Sequence, residues 1–134
     1  MDLTANIHSA MPFCALLGVR AITWQPELVE LELDWSSALC TTGGILHGGV
    51  LMALADSSGA ACASVNLPDG ATGTSTIESK TNFLGAVREG TVRAVSRPLH
   101  TGSTTIVVET ELRRSDGRLV GKTTQTQSVL RARA

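Results

Sequence analysis

The chain has 134 residues, 43% hydrophobic and 17% charged, and a formal net charge of −1 from 11 basic and 12 acidic side chains. That length suits a single domain over 1–134, and the apolar content excludes a disordered tail. Near-neutral charge, with two Trp, two Phe and no Tyr, argues against a nucleic-acid surface, which needs basic patches and stacking rings.

Cys14, Cys40 and Cys62 are odd in number and widely spaced, which predicts free thiols in a reducing compartment. His8, His47 and His100 are equally scattered, so neither a metal site nor any other cofactor is expected. The opening MDLTANIHSA has an acidic residue at position 2 and no apolar segment, so it does not read as a signal peptide. The most apolar stretch, Ile45 to Val65, is interrupted by His47, Asp56 and several Gly and Ser, so no membrane span is expected. Together these features predict a cytoplasmic protein.

Along the chain, a fraying terminus in which His8 has no role leads to a short helix from Met11 to Leu17, stopped at Gly18. Val19 to Trp24 reads as a strand, broken by Pro26. Leu28 to Trp35 alternates, with Val29, Leu31, Leu33 and Trp35 on one face and Glu30, Glu32 and Asp34 on the other, as in a half-solvated antiparallel strand. After the loop SSALCTTGG the alternation stops. From Leu46 to Val65 the pattern predicts a helix of about 18 residues, roughly 27 Å long, apolar nearly all round and buried on all sides. Asn66 to Gly70 ends it with turn residues. Four strands follow: Gly73 to Phe83, Gly90 to Leu99 stopped near Pro98, Ser103 to Arg114, and Leu119 to Leu130. Asp116-Gly117 centres a hairpin turn between the last two. In Ser103 to Arg114, Ile106, Val108, Thr110 and Leu112 share one face. In Gly73 to Phe83, Thr76, Glu78, Lys80 and Asn82 share a polar one. A lone apolar helix needs an antiparallel sheet curled around it, and whatever the sheet leaves bare needs a partner, which predicts a dimer.

Chemistry concentrates in GGILHGGV, followed by Leu54-Ala55-Asp56. Gly48-Gly49 at a helix start either let the chain turn and pack tightly or let a ligand approach the first-turn N–H groups, where a developing oxyanion could be held. Asp56 stands alone on the apolar helix, and an unpaired carboxylate there costs several kcal/mol if buried. It is either a structural acceptor for Ser57, Ser58 or a nearby hydroxyl, or a base or nucleophile in a dry cleft. Gly48 and Asp56 lie about 12 Å apart along one helix, too far to act on one carbonyl. Two antiparallel copies of the helix would bring them together, so a shared site would lie between subunits.

The run HGGVLMALAD, with GTSTIE and TNFL downstream, resembles the hotdog-fold acyl-CoA thioesterases of the PaaI-like, 4-hydroxybenzoyl-CoA thioesterase type, over about Met11 to Leu130. The resemblance implies an α+β hotdog fold, with five to six antiparallel strands wrapped around one central helix. It implies hydrolysis of an aryl or medium-chain acyl-CoA without a cofactor, by homodimers that pair into tetramers. It places the catalytic acid at Asp56, the carbonyl-polarising amide at Gly48, a thioester-placing His at His47 and a water-orienting hydroxyl near Ser75. Thr41, Gly49, Phe83, Arg88, Arg97, His100, Gly102 and Ser103 become the substrate- and coenzyme-side positions, and Leu51, Met52 and Leu54 would line the acyl pocket with Phe83. Two positions depart from many relatives: Thr41 stands where they have Asn or Gln, and Ser103 where they have a basic residue. Arg113 and Arg114 are further candidates for the coenzyme phosphates. Two other readings stand beside this one. A hotdog dehydratase or hydratase would need a proline-glycine signature that is missing around His47. A non-catalytic acyl-CoA binder would not need Asp56, and a regulator would need a DNA-binding segment for which the chain has no spare length.

Overall fold

A computed structural model describes residues 2–133, so Met1 and Ala134, the ends of the expected domain, lie outside the described residues. Two short helices, α1 (Leu3–Ala10) and α2 (Pro12–Leu17), precede strands β1 (Arg20–Gln25) and β2 (Leu28–Asp34). A single 3-10 turn, Ser37–Leu39, leads to the long helix α3 (Gly48–Ser64). Strands β3 (Ala71–Phe83), β4 (Thr91–Thr101), β5 (Thr105–Arg114) and β6 (Leu119–Arg131) complete the chain. All six strands form one antiparallel sheet in the order β1-β2-β4-β5-β6-β3. The sheet curls around α3, which packs against every strand: this is the hotdog arrangement.

The inward face of the sheet is read directly from strand parity. Val29, Leu31 and Leu33 of β2, Val92 and Ala94 of β4, and Ile106, Val108 and Leu112 of β5 are fully buried against Leu51, Leu54, Ala55 and Cys62 of α3. Buried hydroxyls in this layer are paired. The hydroxyls of Ser58, Ser96 and Thr110 form a chain with 2.6 Å links from α3 to β4 to β5. The Trp24 indole N–H donates to the Ala61 carbonyl at 3.0 Å, anchoring β1 to the far half of the helix. All three cysteines are free, and burial pushes the Cys62 thiol up to about 11.

Four expectations need correction. The terminus is not frayed: Asp2 caps α1, Ile7 is fully buried, and the His8 Nε2 lies 2.7 Å from the Val19 carbonyl. One buried side chain in eight residues carries no periodic signal, so packing decides this helix. Strand β4 does not stop at Pro98 but runs to Thr101. Its pairing with β2 ends at Ser96, so the proline lies where no ladder donor is needed, and a register shift follows before His100. Helix α3 is not covered all round. Gly49, Met52 and Asp56 are exposed and Ala53 and Ala60 half-buried, a stripe recurring every three to four residues where the sheet does not reach. Finally, Thr76 does not share the outward face of Glu78, Lys80 and Asn82. The Thr76 hydroxyl meets α3 and the Thr81 hydroxyl meets buried Thr123, although they are five residues apart, because a bulge between Thr76 and Glu78 reverses the alternation.

The outer face is held by ion pairs. Arg20 makes two hydrogen bonds to Asp34, at 2.8 and 2.9 Å, and one to Glu32, which also pairs with Arg93. The Arg20 hydrogen bond, helped by the Thr91 hydroxyl, holds the Asp34 carboxyl below its ordinary value. Burial pushes the Glu32 carboxyl up, but hydrogen bonds from Arg93 and Arg20 outweigh that and leave it below its ordinary value. Both carboxyls are therefore more acidic folded than unfolded. Their contribution is present above the unfolded values, near about pH 4, and is lost as pH falls through the folded ones. Urea midpoints should accordingly fall on acidification below about pH 5. Glu32→Gln should start lower at neutral pH and show a shallower acid fall; an equal slope in both proteins would remove Glu32 from the acid response.

Candidate active site

The start of α3 is shaped by His47 and two glycines. His47 is the N-cap, and its Nδ1 accepts from the Gly49 N–H at 2.8 Å, which puts the ring proton on Nε2. The His47 carbonyl takes the N–H groups of Val50 and Leu51. Of the four first-turn amides, only that of Gly48 is left without an acceptor among the described residues. A Cβ on Gly49 would come within 2.9 Å of the His47 ring, and one on Gly48 within 3.1 Å of the Phe83 ring. The glycines thus serve both sequence readings: they permit tight packing, and they leave one oriented amide free. That amide points from the positive end of a 17-residue helix.

Two turns along, Asp56 lies on the exposed stripe of α3. Its partners are neither Ser57, which donates to the Ala53 carbonyl, nor Ser58, which joins Ser96. They come from the sheet. The Gln125 Nε2 of β6 donates to Asp56 Oδ1 at 2.6 Å, and the Thr76 hydroxyl of β3 faces the same oxygen at 3.4 Å. Gln127 Nε2 donates to Thr76 Oγ1 at 2.7 Å. Gln125 is fully buried, and its Oε1 has no partner among the described residues. It lies against Gly59, where an added Cβ would be 1.9 Å away.

The remaining sequence candidates fall into separate groups. Thr41, Phe83 and Arg88 lie at the Gly48 end, where the Leu46 N–H donates to the Val87 carbonyl and Phe83 covers Gly48. His100, Gly102 and Ser103 lie at the opposite end, the first near the end of β4 and the other two in the β4–β5 turn, where Arg131 donates to the Ser103 and Asp69 carbonyls. Arg97 lies on the outward face of β4, away from α3, and does not converge with Arg88 in one chain. Ser75 neighbours Thr76 on β3 and pairs across to Ser128; its hydroxyl makes no hydrogen bond to Asp56. Arg113 and Arg114 are taken up by Glu111 and Asp116. Leu51 and Leu54 are buried under the sheet rather than lining an open pocket; Met52 and Phe83 face outward. An open cleft of about 730 Å³ around Arg88, Glu89 and Arg114 includes neither Asp56 nor Gly48.

Thr76, Gln125 and Gln127 were not legible as site residues. Thr76 is hidden by the bulge. The two glutamines alternate with Thr124 and Thr126, so β6 offers no apolar face against which a buried amide would stand out.

With this geometry in view, comparison with known proteins settles the class. The family described as the thioesterase superfamily matches residues 43–121, the span that holds the glycine turn, Asp56 and most of the sheet. The 1,4-dihydroxy-2-naphthoyl-CoA hydrolase of Escherichia coli is 36% identical over 131 residues, covering 96% of each chain. A thioesterase family protein from Silicibacter pomeroyi superposes with a TM-score of 0.86 at 27% identity over 96% of both chains. The thioesterase HI1161 of Haemophilus influenzae shares the fold, with a TM-score of 0.88 at 24% identity, covering 98% of this chain and 92% of that one. The chain belongs to the thioesterase superfamily. It is a thioester hydrolase of the hotdog type.

Replacing Gly59 by Ala should force the Gln125 amide out of its seat. The expected cost is about 1–3 kcal/mol of stability, as for other overpacked core positions, read from urea unfolding. An unchanged midpoint would mean that the amide re-seats freely.

Proposed function

We propose that the chain hydrolyses an aryl or medium-chain acyl-CoA to the free acid and CoA, at a site formed between two antiparallel copies of α3. The observation that carries this reading is the unpaired Gly48 N–H at the start of α3 and the Asp56 carboxylate on its bare stripe, eight residues apart. Along a helix that is about 12 Å, so one thioester carbonyl cannot touch both in a single chain. An antiparallel copy seated on the stripe sets the Gly48 of one chain near the Asp56 of the other. It also covers Asp56, turning an exposed carboxylate into one in a dry cleft. The unpaired outer edge of β3, beside the stripe, suits pairing with the same edge of a second chain. Pairing of two such dimers gives the expected tetramer.

In such a site the Gly48 amide stabilises negative charge on the carbonyl oxygen as the carbon is attacked. Asp56 either takes a proton from the attacking water or attacks the carbon itself; in both routes the C–S bond breaks and CoA leaves as the thiol, and in the second a water then cleaves the mixed anhydride to free the acid and restore the carboxylate. The same pairing brings the Arg88 end of one chain toward the His100 to Ser103 turn of the other, which supports the coenzyme lying across the two. An aryl acyl group is supported by the Escherichia coli relative, whose name specifies a naphthoyl-CoA substrate. No helix among the described residues is long and apolar enough to cross a membrane, and the three free thiols fit a cytoplasmic setting.

Thiol release from a panel of acyl-CoAs tests the reaction. Asp56→Asn should keep the fold and lose at least about 10²-fold in kcat on the best substrate. Near wild-type turnover would remove Asp56 from the mechanism. The shared site has its own test. Mixing inactive Asp56→Asn subunits with inactive Gly48→Pro subunits, the proline deleting the N–H, should restore activity, since one hybrid site holds both intact groups. Folded hybrids that stay inactive would exclude the cross-subunit geometry.

A further inference from the structure

Gln125 is a costly residue where it stands. Its side chain is fully buried, its Oε1 has no hydrogen-bond partner among the described residues, and that oxygen presses on Gly59, a helix position with no side chain to displace it. A buried carbonyl without a donor is destabilising, and an apolar side chain of the same size would avoid the cost. The Nε2 end shows what the amide does. It donates to Asp56 Oδ1 at 2.6 Å. The reverse orientation would set Oε1 against an ionised carboxylate oxygen at hydrogen-bond distance, lone pair against lone pair. The orphaned oxygen is thus the counterpart of a donor committed to Asp56.

The neighbouring groups are oriented to the same end. Gln127 Nε2 donates to Thr76 Oγ1 at 2.7 Å, which turns the Thr76 hydroxyl proton toward Asp56 Oδ1, 3.4 Å away. Gln125 Nε2 also reaches Thr76 Oγ1 at 3.3 Å. Two side chains from two strands, Gln125 and Thr76, therefore converge on a single carboxylate oxygen, with Gln127 behind Thr76. Oδ2 receives no hydrogen bond from any described residue.

We infer that Gln125 is a positioning residue for thioester hydrolysis: backed by Thr76 and Gln127, it pins Asp56 through Oδ1 and leaves Oδ2 as the reacting oxygen. This rests on the Asp56 reading proposed above. It applies whether Oδ2 takes a proton from water or attacks the thioester carbon, because both require a carboxylate held in one rotamer.

Gln125→Met keeps size and removes the donor together with the orphaned carbonyl. The expected result is a fall in kcat of about tenfold or more, as for loss of a hydrogen bond to a charged group, with KM for acyl-CoA within about twofold and a melting temperature equal to or above wild type. A residue that only supports the fold would show the opposite: a lower melting temperature and an unchanged kcat per folded molecule, and that outcome overturns the inference. Thr76→Val, which keeps the shape and β-branching of this edge-strand position, should lower kcat in the same direction with KM unchanged; full kcat in that variant removes Thr76 from the assembly. A readout independent of turnover is the side-chain amide signal of Gln125 in the 1H–15N spectrum. One amide proton should lie downfield in the wild type and move upfield in Asp56→Asn, where the acceptor is neutral. An unmoved signal overturns the pinning. Wild-type protein that releases thiol from no acyl-CoA would defeat the substrate reading alone, while the amide signal still decides whether Gln125 holds Asp56.

Discussion

The hydrogen bond from Gln125 to Asp56 ties the only charged side chain of α3 to the sheet that wraps it. A carboxylate on an apolar helix must be hydrated, paired or neutralised. Here one oxygen is satisfied from the inward face of β6 and β3, and the helix is left bare along the stripe that carries the other. Much of the remaining architecture accommodates this choice. Gly59 makes room for the amide, the bulge in β3 turns Thr76 inward, and the sheet stops short of the stripe instead of closing over it. The hydrophobic layer on the far side, from Val29 to Leu112, is what makes such an arrangement affordable.

The second constraint is at the start of the same helix. An N-cap must supply acceptors for orphaned amides, and Ser, Thr, Asp and Asn do this most often. His47 does it through a ring nitrogen to Gly49 and a carbonyl to Val50 and Leu51, leaving Gly48 free. A more complete cap would be better for the helix and would consume the donor that the proposed chemistry uses.

How far the sequence revealed this depended on periodicity. Strands β2 and β5 were legible because Val29, Leu31 and Leu33, and Ile106, Val108 and Leu112, alternate against charged residues, and burial follows that parity. The long helix was legible from its unbroken apolar run. Its bare stripe was not, since Gly49, Met52, Ala53 and Ala60 look no different from the buried Leu51, Ala55 and Ala61; only the width of the sheet distinguishes them. Asp56 stood out by isolation and Gly48 by the doubled glycine. Their partners did not, because Thr76 is placed by a break in alternation and Gln125 by pairing with a distant strand. Helix α1 failed to register for a related reason: a single buried Ile7 and a histidine bonded to a later carbonyl are tertiary facts.

The bulge at Ile77 makes β3 a strand of two phases. Glu78 to Phe83 keep one parity with β6, and Thr76 keeps the other, with Ile77 as the dislocation between them. A dislocation stores information about register rather than identity. Drawing Ile77 into the ladder opposite Gln127 would leave Thr81 on Thr123 and Phe83 on Gly48, while sending Thr76 to the outer surface and Ser75 to the inner one. Deleting Ile77 itself would keep Thr76 opposite Gln127. Many substitutions could preserve the chemistry of this strand, but a one-residue slip of its first half against β6 would exchange the side chain presented to Asp56. Register at this point is therefore itself part of the site, inherited as an alignment and not as a residue.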